Sequence, residues 1–430
     1  MSDTTIVAIH SRRIWDSRGR PTVEAEVMLR DGSTGRGIAP AGASRGSREA
    51  IDLRDGGDRF GGLDVQLALA AIQFNIGPAL ISMDAHDQSA IDETMIALDG
   101  TPNKSRLGGN AIVAVSLAVA HAAAASAKMP LWRYLSLGRS VRLPLPEIQI
   151  FGGGAHAGRR IDIQDLMVVA TAARSFAQAL EMTAEVYDAA GKLMRAKGCQ
   201  FGVADEGGHW PVFDSNEEAL DMLVRSIEAA GYVPGKDVAI SLDIAASEFG
   251  KNGKYRLGLE ERELDSDGLC ELMVDWCTRY PVVSIEDPLG EDDPEGMKRF
   301  TEAVGHRVQV IGDDYLVTRH DRVLEAAQEK AVNAVLIKVN QVGTVSEAHL
   351  ALQTAKRAGF GTIVSARSGE TEDTSIVDLA VGWDAGQIKV GSFSRSERMA
   401  KWNALIRIEE LLGGRSRFAG ASVLPAFVQT

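Results

Sequence analysis

Val308-Gln309-Val310-Ile311-Gly312-Asp313-Asp314 reads as one buried strand: three apolar residues within four positions, stopped after Gly312 by two acids. The same text recurs on both sides. Upstream, Val282-Val283-Ser284-Ile285 stops at Glu286 and Asp287, and Val238-Ala239-Ile240-Ser241-Leu242 stops at Asp243. Downstream the stop changes sign: Val335-Leu336-Ile337 leads to Lys338, Thr362-Ile363-Val364-Ser365 toward Arg367, and Gly386-Gln387-Ile388 to Lys389. From Glu286 onward the stops are about 22 to 29 residues apart, the length of one strand, one helix and two short loops. Apolar strands alternating with helices predict an α/β fold with a parallel sheet under helices, and closure into a TIM-like barrel explains why six charges converge on one face. An open doubly wound sheet is the alternative, and no Gly-rich dinucleotide turn follows a first strand to support it.

The rest of the chain fits a second unit ahead of the barrel. With 430 residues it exceeds the usual single core, so the expected division is an N-terminal α+β domain at 1–142 and a barrel carrying the site at 143–430. Residues 6–29 read as two strands around Asp16-Ser17-Arg18-Gly19-Arg20-Pro21, followed by a Gly- and Ser-rich loop and helices near 65–76, 88–98 and 111–127. Asn75-Ile76-Gly77-Pro78 is expected to stop the first helix, and Leu143-Pro144-Leu145-Pro146 to be the linker.

Composition narrows the function. A net charge of −13 argues against nonspecific binding to nucleic acid or anionic lipid, although a local cation cluster can still take an anionic substrate. Cys199, Cys270 and Cys277 are three in number, without metal-ligand spacing, which suits small core residues in a reducing, cytoplasmic setting. Residues 1–5 show no secretory signal, and the alanine-rich 111–127 run, broken by Ser116 and His121, reads as a buried helix rather than a membrane span.

Asp243, Glu286 and Asp313 offer oxygen ligands without Cys or His, a set that suits Mg²⁺ over Zn²⁺. Three carboxylates in one pocket repel unless a cation sits among them. Each alone reads more readily as a hydrated strand end; together they point to a metal. Lys338 or Lys389, near a metal and another cation, is expected to have a lowered pKa and to serve as a base; a solvated end is the plain alternative. Asp205-Glu206-Gly207-Gly208 reads by itself as a turn whose glycines let backbone approach a ligand.

Over residues 6–412 the chain resembles the enolase family, the phosphopyruvate hydratases of glycolysis and gluconeogenesis. The matching text is Asp16-Ser17-Arg18-Gly19, Gly42-Ala43-Ser44, Asp99-Gly100-Thr101, Asp205-Glu206-Gly207-Gly208, Ser284-Ile285-Glu286-Asp287-Pro288, Leu336-Ile337-Lys338, Arg367-Ser368-Gly369-Glu370-Thr371 and Arg407-Ile408-Glu409-Glu410. The resemblance implies that Lys338 removes the C2 proton of 2-phosphoglycerate and Glu206 protonates the departing C3 hydroxyl. It implies that Asp243, Glu286 and Asp313 bind one Mg²⁺ and Ser44 joins a second with the substrate phosphate. Arg367 and Ser368 would hold the phosphate, Lys389 and Gln164 the carboxylate, with Asp165 beside Gln164 and His156 on a closing loop. A homodimer is implied, with an octamer as the larger form.

Some positions depart from the family. Asp165 stands for glutamate, Ala366 for histidine, Arg45 for threonine, Arg159 for asparagine, and His209-Trp210 for a smaller apolar pair. An emptied pocket and added arginines suit a bulkier or more anionic substrate. The alternatives are therefore a lyase for a related phosphorylated or phosphonate acid, resembling carboxyphosphonoenolpyruvate synthase, and a non-catalytic binding protein of the same fold.

Overall fold

Strands β1 (Ile6–Trp15), β2 (Pro21–Leu29) and β3 (Thr34–Ile38) form an antiparallel sheet, with Trp15 opposite Pro21 across the expected turn. Asp16 closes that turn by accepting the N–H groups of Arg18 and Arg20 at 2.8 and 2.9 Å. The computed structural model describes residues 3–427, so the first two residues of the 1–5 segment lie outside the described residues. The alanine helix Gly109–Ser126 packs on β3, and its small side chains matter there. A Cβ at Gly35 would lie 2.1 Å from the Ala122 nitrogen, so backbone meets backbone with no side chain between. The helix is long and apolar enough to cross a membrane, yet 89% of it is buried inside the protein.

Two local expectations are corrected. The first helix does not stop at Gly77-Pro78: Gln66–Ala71 runs through a π turn, Ile72–Ile76, into Gly77–Leu80. Pro78 falls in the first turn of that last segment, where its missing N–H leaves nothing unpaired. Leu143-Pro144-Leu145-Pro146 is not a free linker either, because Leu145 and Pro146 open strand β4 (Leu145–Gly152) and Pro146 sits opposite Ile388. A strand start tolerates proline.

Strand β5 (Asp165–Val169) follows β4. Strands β6 (Gln200–Val203) and β7 (His209–Pro211) make a hairpin attached to β4, and β9 to β11 (Gly250–Lys251, Lys254–Leu257, Arg262–Asp265) form a small separate sheet. The barrel runs β4, β5, β8 (Ala239–Asp243), β12 (Val282–Glu286), β13 (Gln309–Gly312), β14 (Ala334–Ile337), β15 (Gly361–Ser365) and β16 (Gly386–Gly391), closed by β16 pairing with β4. The expected all-parallel order fails at one strand: β5 is antiparallel to both β4 and β8. No crossover helix separates β4 from β5, and a direct return can only run antiparallel. Inverted, β5 presents its first residue, Asp165, at the end where its neighbours present their last; Asp165, Asp243 and Glu286 lie in one register row.

The N-terminal lobe is pinned over that end. Lys104 pairs with Glu347 at 2.9 Å, Asp92 accepts the Ser346 N–H at 2.9 Å, and Ala41 exchanges backbone hydrogen bonds with Gly369. The Gly- and Ser-rich loop that follows β3 is thereby held against Arg367 and Ser368.

Candidate active site

Each charged strand end reaches the same mouth. The Lys389 ammonium donates to Asp243 Oδ2 at 2.7 Å and Glu286 Oε2 at 2.8 Å, and lies 3.4 Å from Asp165 Oδ2. Lys338 Nζ bonds Asp313, whose other oxygen accepts from Gln341 Nε2 at 2.8 Å. Gln164 Nε2 donates to Asp243 at 3.2 Å. All of these side chains are buried, so the charges act on one another with little screening.

Among the side chains themselves the electrostatics run against the lowering expected beside a metal. Burial pulls the Lys338 and Lys389 ammonium groups down, but Asp313 at the first, and Asp243, Glu286 and Asp165 at the second, more than reverse it; both lysines are held above their ordinary range. Arg367 and Lys389 do push Lys338 downward, but the carboxylates outweigh them, because each ammonium occupies the counter-charge position among the acids. Glu286 is pushed up by burial and by Asp243 and Asp313.

Asp243, Glu286 and Asp313 fit a hard divalent cation: every donor is oxygen, and Glu286 Oε1 is buried without a hydrogen-bond partner. A tighter acidic cluster, Asp287 with Asp313 and Asp314, lies alongside. Its central member is structural, since both Asp287 oxygens accept backbone N–H groups, from Asp313 at 3.0 Å and Asp314 at 2.7 Å.

On the other side of the mouth, His156 Nδ1 lies 3.1 Å from Asp165 Oδ1, and its Nε2 lies 3.8 Å from Glu206 Oε1. Burial opposes the imidazolium, but Asp165 and Glu206 outweigh it and raise His156 to about 9. Glu206 is fixed by its backbone, its carbonyl accepting Ser392 N–H at 2.9 Å.

Ser44, Arg367 and Ser368 meet where the N-terminal loop folds in. Ser368 Oγ accepts the Ala43 N–H at 2.7 Å, while the Ser44 carbonyl accepts from Arg367 Nη2 at 3.1 Å. The sequence gives no sign of the main partner of Arg367. Glu49 takes both arms of the guanidinium at 3.1 Å, and Asn340 takes a third bond at 3.0 Å. Glu49, Gln341 and Asn340 end no apolar strand, so the pattern that exposes the other acids passes over them.

A family model of the enolase N-terminal domain matches residues 6–135, and one of the enolase C-terminal TIM barrel domain matches residues 140–426. The chain belongs to the enolase family. It is 47% identical to "Enolase 1" of Desulfitobacterium hafniense (strain Y51) over 99% of this chain and 98% of that protein.

Within this enolase frame the departures separate. Arg45 lies 3.8 Å from Asp52, and Arg159 bonds Glu248 at 2.7 Å, so each added cation is already matched by a carboxylate. Neither adds an unmatched cation for the more anionic substrate expected from the sequence. His209 is a packing residue, stacked on Tyr187 and bonded to the Tyr187 carbonyl at 2.9 Å. Trp210 packs edge-on to Phe201 and near Gly158 on the His156 loop. Asp165 and Ala366 are the two changes that lie beside the charged strand ends, Asp165 in the row of Asp243 and Glu286 and Ala366 donating its N–H to the Lys389 carbonyl at 2.9 Å.

Proposed function

We propose that this chain is a phosphopyruvate hydratase, a lyase that interconverts 2-phosphoglycerate with phosphoenolpyruvate and water in the cytoplasm. The observation that carries the reading is the meeting of Lys338, on Asp313, with Lys389, across Asp243 and Glu286, in one buried mouth that also holds Glu206. In this reading Asp243, Glu286 and Asp313 hold one Mg²⁺, and Ser44 with the substrate phosphate holds a second. Bound Mg²⁺ would supply the positive charge that stabilises the dianion formed next to the carboxylate and would compete with Lys338 for the Asp313 charge.

Neutral Lys338 takes the C2 proton, the C2–H electron pair becomes the C2–C3 double bond, and the C3 hydroxyl leaves as water with a proton from Glu206. Lys389 and Gln164 orient the substrate carboxylate. His156 and Asp165 close the leaving-group side, and Arg367 and Ser368 bind the phosphate. Exposed Leu67 and Phe74, seven residues apart on one helix, support a homodimer partner face.

Purified protein with 2-phosphoglycerate and Mg²⁺ is expected to form phosphoenolpyruvate, to stop in EDTA and to resume when Mg²⁺ is restored. Absence of product under those conditions sinks the reading; turnover of a phosphonate analogue instead would assign the chain to the related-acid lyases. Arg367→Lys loses the planar fork, and one charge-assisted hydrogen bond of about 1.5–3 kcal/mol corresponds to a rise in KM of about 10- to 150-fold. An unchanged KM for 2-phosphoglycerate would remove Arg367 from the phosphate site.

A further inference from the structure

Gln149 is a buried residue of β4 that the charged strand ends do not account for. Its side-chain amide is used at both ends. Nε2 donates to Asp165 Oδ1, the oxygen that also faces His156, and Oε1 accepts the Gly208 N–H at 2.8 Å. The amide has only one workable orientation, because a carboxylate only accepts and an N–H only donates.

That single side chain joins the Asp165–His156 pair to the turn that carries Glu206. The turn is tight: Gly207 N–H bonds the Ala204 carbonyl, Ala204 N–H bonds the Gly208 carbonyl, and the Gly207 carbonyl accepts from Tyr187 and Ser394. Gly208 is glycine for a reason that points back to Gln149, since a Cβ there would lie 2.4 Å from Gln149 Oε1. On the strand side a Cβ at Gly152 would lie 2.4 Å from Ala204 Cβ and in ordinary contact, 3.4 Å, with the same amide.

Asp165 has one methylene fewer than glutamate. A glutamate at this position would carry its carboxylate about 1.5 Å farther, into the volume that the Gln149 amide fills. We propose that Gln149 is a positioning residue for the acid loop, its length matched to the short side chain of Asp165, so that the two together set where Glu206 stands relative to His156. The role attached to Glu206 rests on the hydratase reading above; the length match between Gln149 and Asp165 does not.

The test is a double-mutant cycle that moves the methylene from one side chain to the other. Gln149→Asn, Asp165→Glu and the double variant are compared with wild type in kcat and KM for 2-phosphoglycerate and in apparent Tm without substrate. A displacement near 1 Å costs on the order of 100-fold in rate, so each single change is expected to lower kcat by about 10- to 100-fold with a smaller change in KM. The double variant, which restores the summed length, is expected to recover most of the lost kcat and the lost Tm. A residue that merely fills space would shift Tm without the split between kcat and KM.

Additive losses in both kcat and Tm, or singles indistinguishable from wild type, overturn the proposal. If a single variant fails to fold while the double folds, the length match stands, because the second change has rescued the first. If wild type itself makes no phosphoenolpyruvate, the hydratase reading fails alone, and the Tm cycle still decides whether the two side chains are matched.

Discussion

Lys338→Ala is expected to abolish exchange of the substrate C2 proton with solvent and to lower turnover by about 10²–10⁴-fold, the usual contribution of a positioned general base. Glu206→Gln is expected to lower turnover by a similar factor while C2 exchange continues, because removal of the proton precedes departure of the hydroxyl. The contrast tests the two roles separately. It follows from where the groups stand: Lys338 ends the run of β14 against Asp313, whereas Glu206 is held from the β16 side by Ser392 N–H and faces His156. Loss of exchange in Glu206→Gln, or its survival in Lys338→Ala, would reverse or dissolve the assignment. Measuring C2 deuterium incorporation by mass spectrometry alongside product formation decides between them.

Lys389→Met is the second large effect, and it is read in stability. The methionine roughly preserves side-chain volume but removes the cation from Asp243, Glu286 and Asp165, all of them buried. Stranding buried carboxylates in this way typically costs about 3–5 kcal/mol. In EDTA the variant is therefore expected to melt well below wild type. Added Mg²⁺ is expected to restore part of that stability, and to raise the variant's midpoint more than that of wild type, because a cation that binds the folded state stabilises it by mass action. Differential scanning fluorimetry across a Mg²⁺ series checks this. An equal deficit at every Mg²⁺ concentration would place the metal away from these carboxylates.

How much of this was legible in the text depended on the kind of signal. The charge closing each apolar run was readable, because a buried strand must be apolar and its end is where polar chemistry can begin. Asp243, Glu286, Asp313, Lys338 and Lys389 all surface that way. The direction of β5 was not, since Leu166-Met167-Val168-Val169 is apolar read either way and hydrophobic pattern carries no polarity. Leu145-Pro146 misled for a related reason: proline argues against helix and against a central strand, yet a strand's opening residues escape that rule. The expected lowering of the lysine pKa presumed a metal as well as a second cation, and among the side chains alone the dominant partners of both ammonium groups are carboxylates. Glu49 and Gln149 were invisible because their importance lies in what they touch. Glu49 is one acid in a polar loop, and Gln149 one amide among strand residues, until folding places them on Arg367 and Asp165.

The inverted β5 also changes how the mouth can move. In an ordinary strand–helix unit, a loop leaving the rim hands the chain to a helix on the outer wall, so displacing the loop drags on that wall. The 153–164 segment that bears His156 instead departs from β4 and re-enters β5 at the same rim, with both tethers fixed in the sheet. It behaves like a bucket handle. Its two pivots are neighbours in the sheet, and a further stay is Asp162, which bonds Asn216 at the head of the helix Asn216–Ala229 and accepts the Gly258 N–H at 2.7 Å.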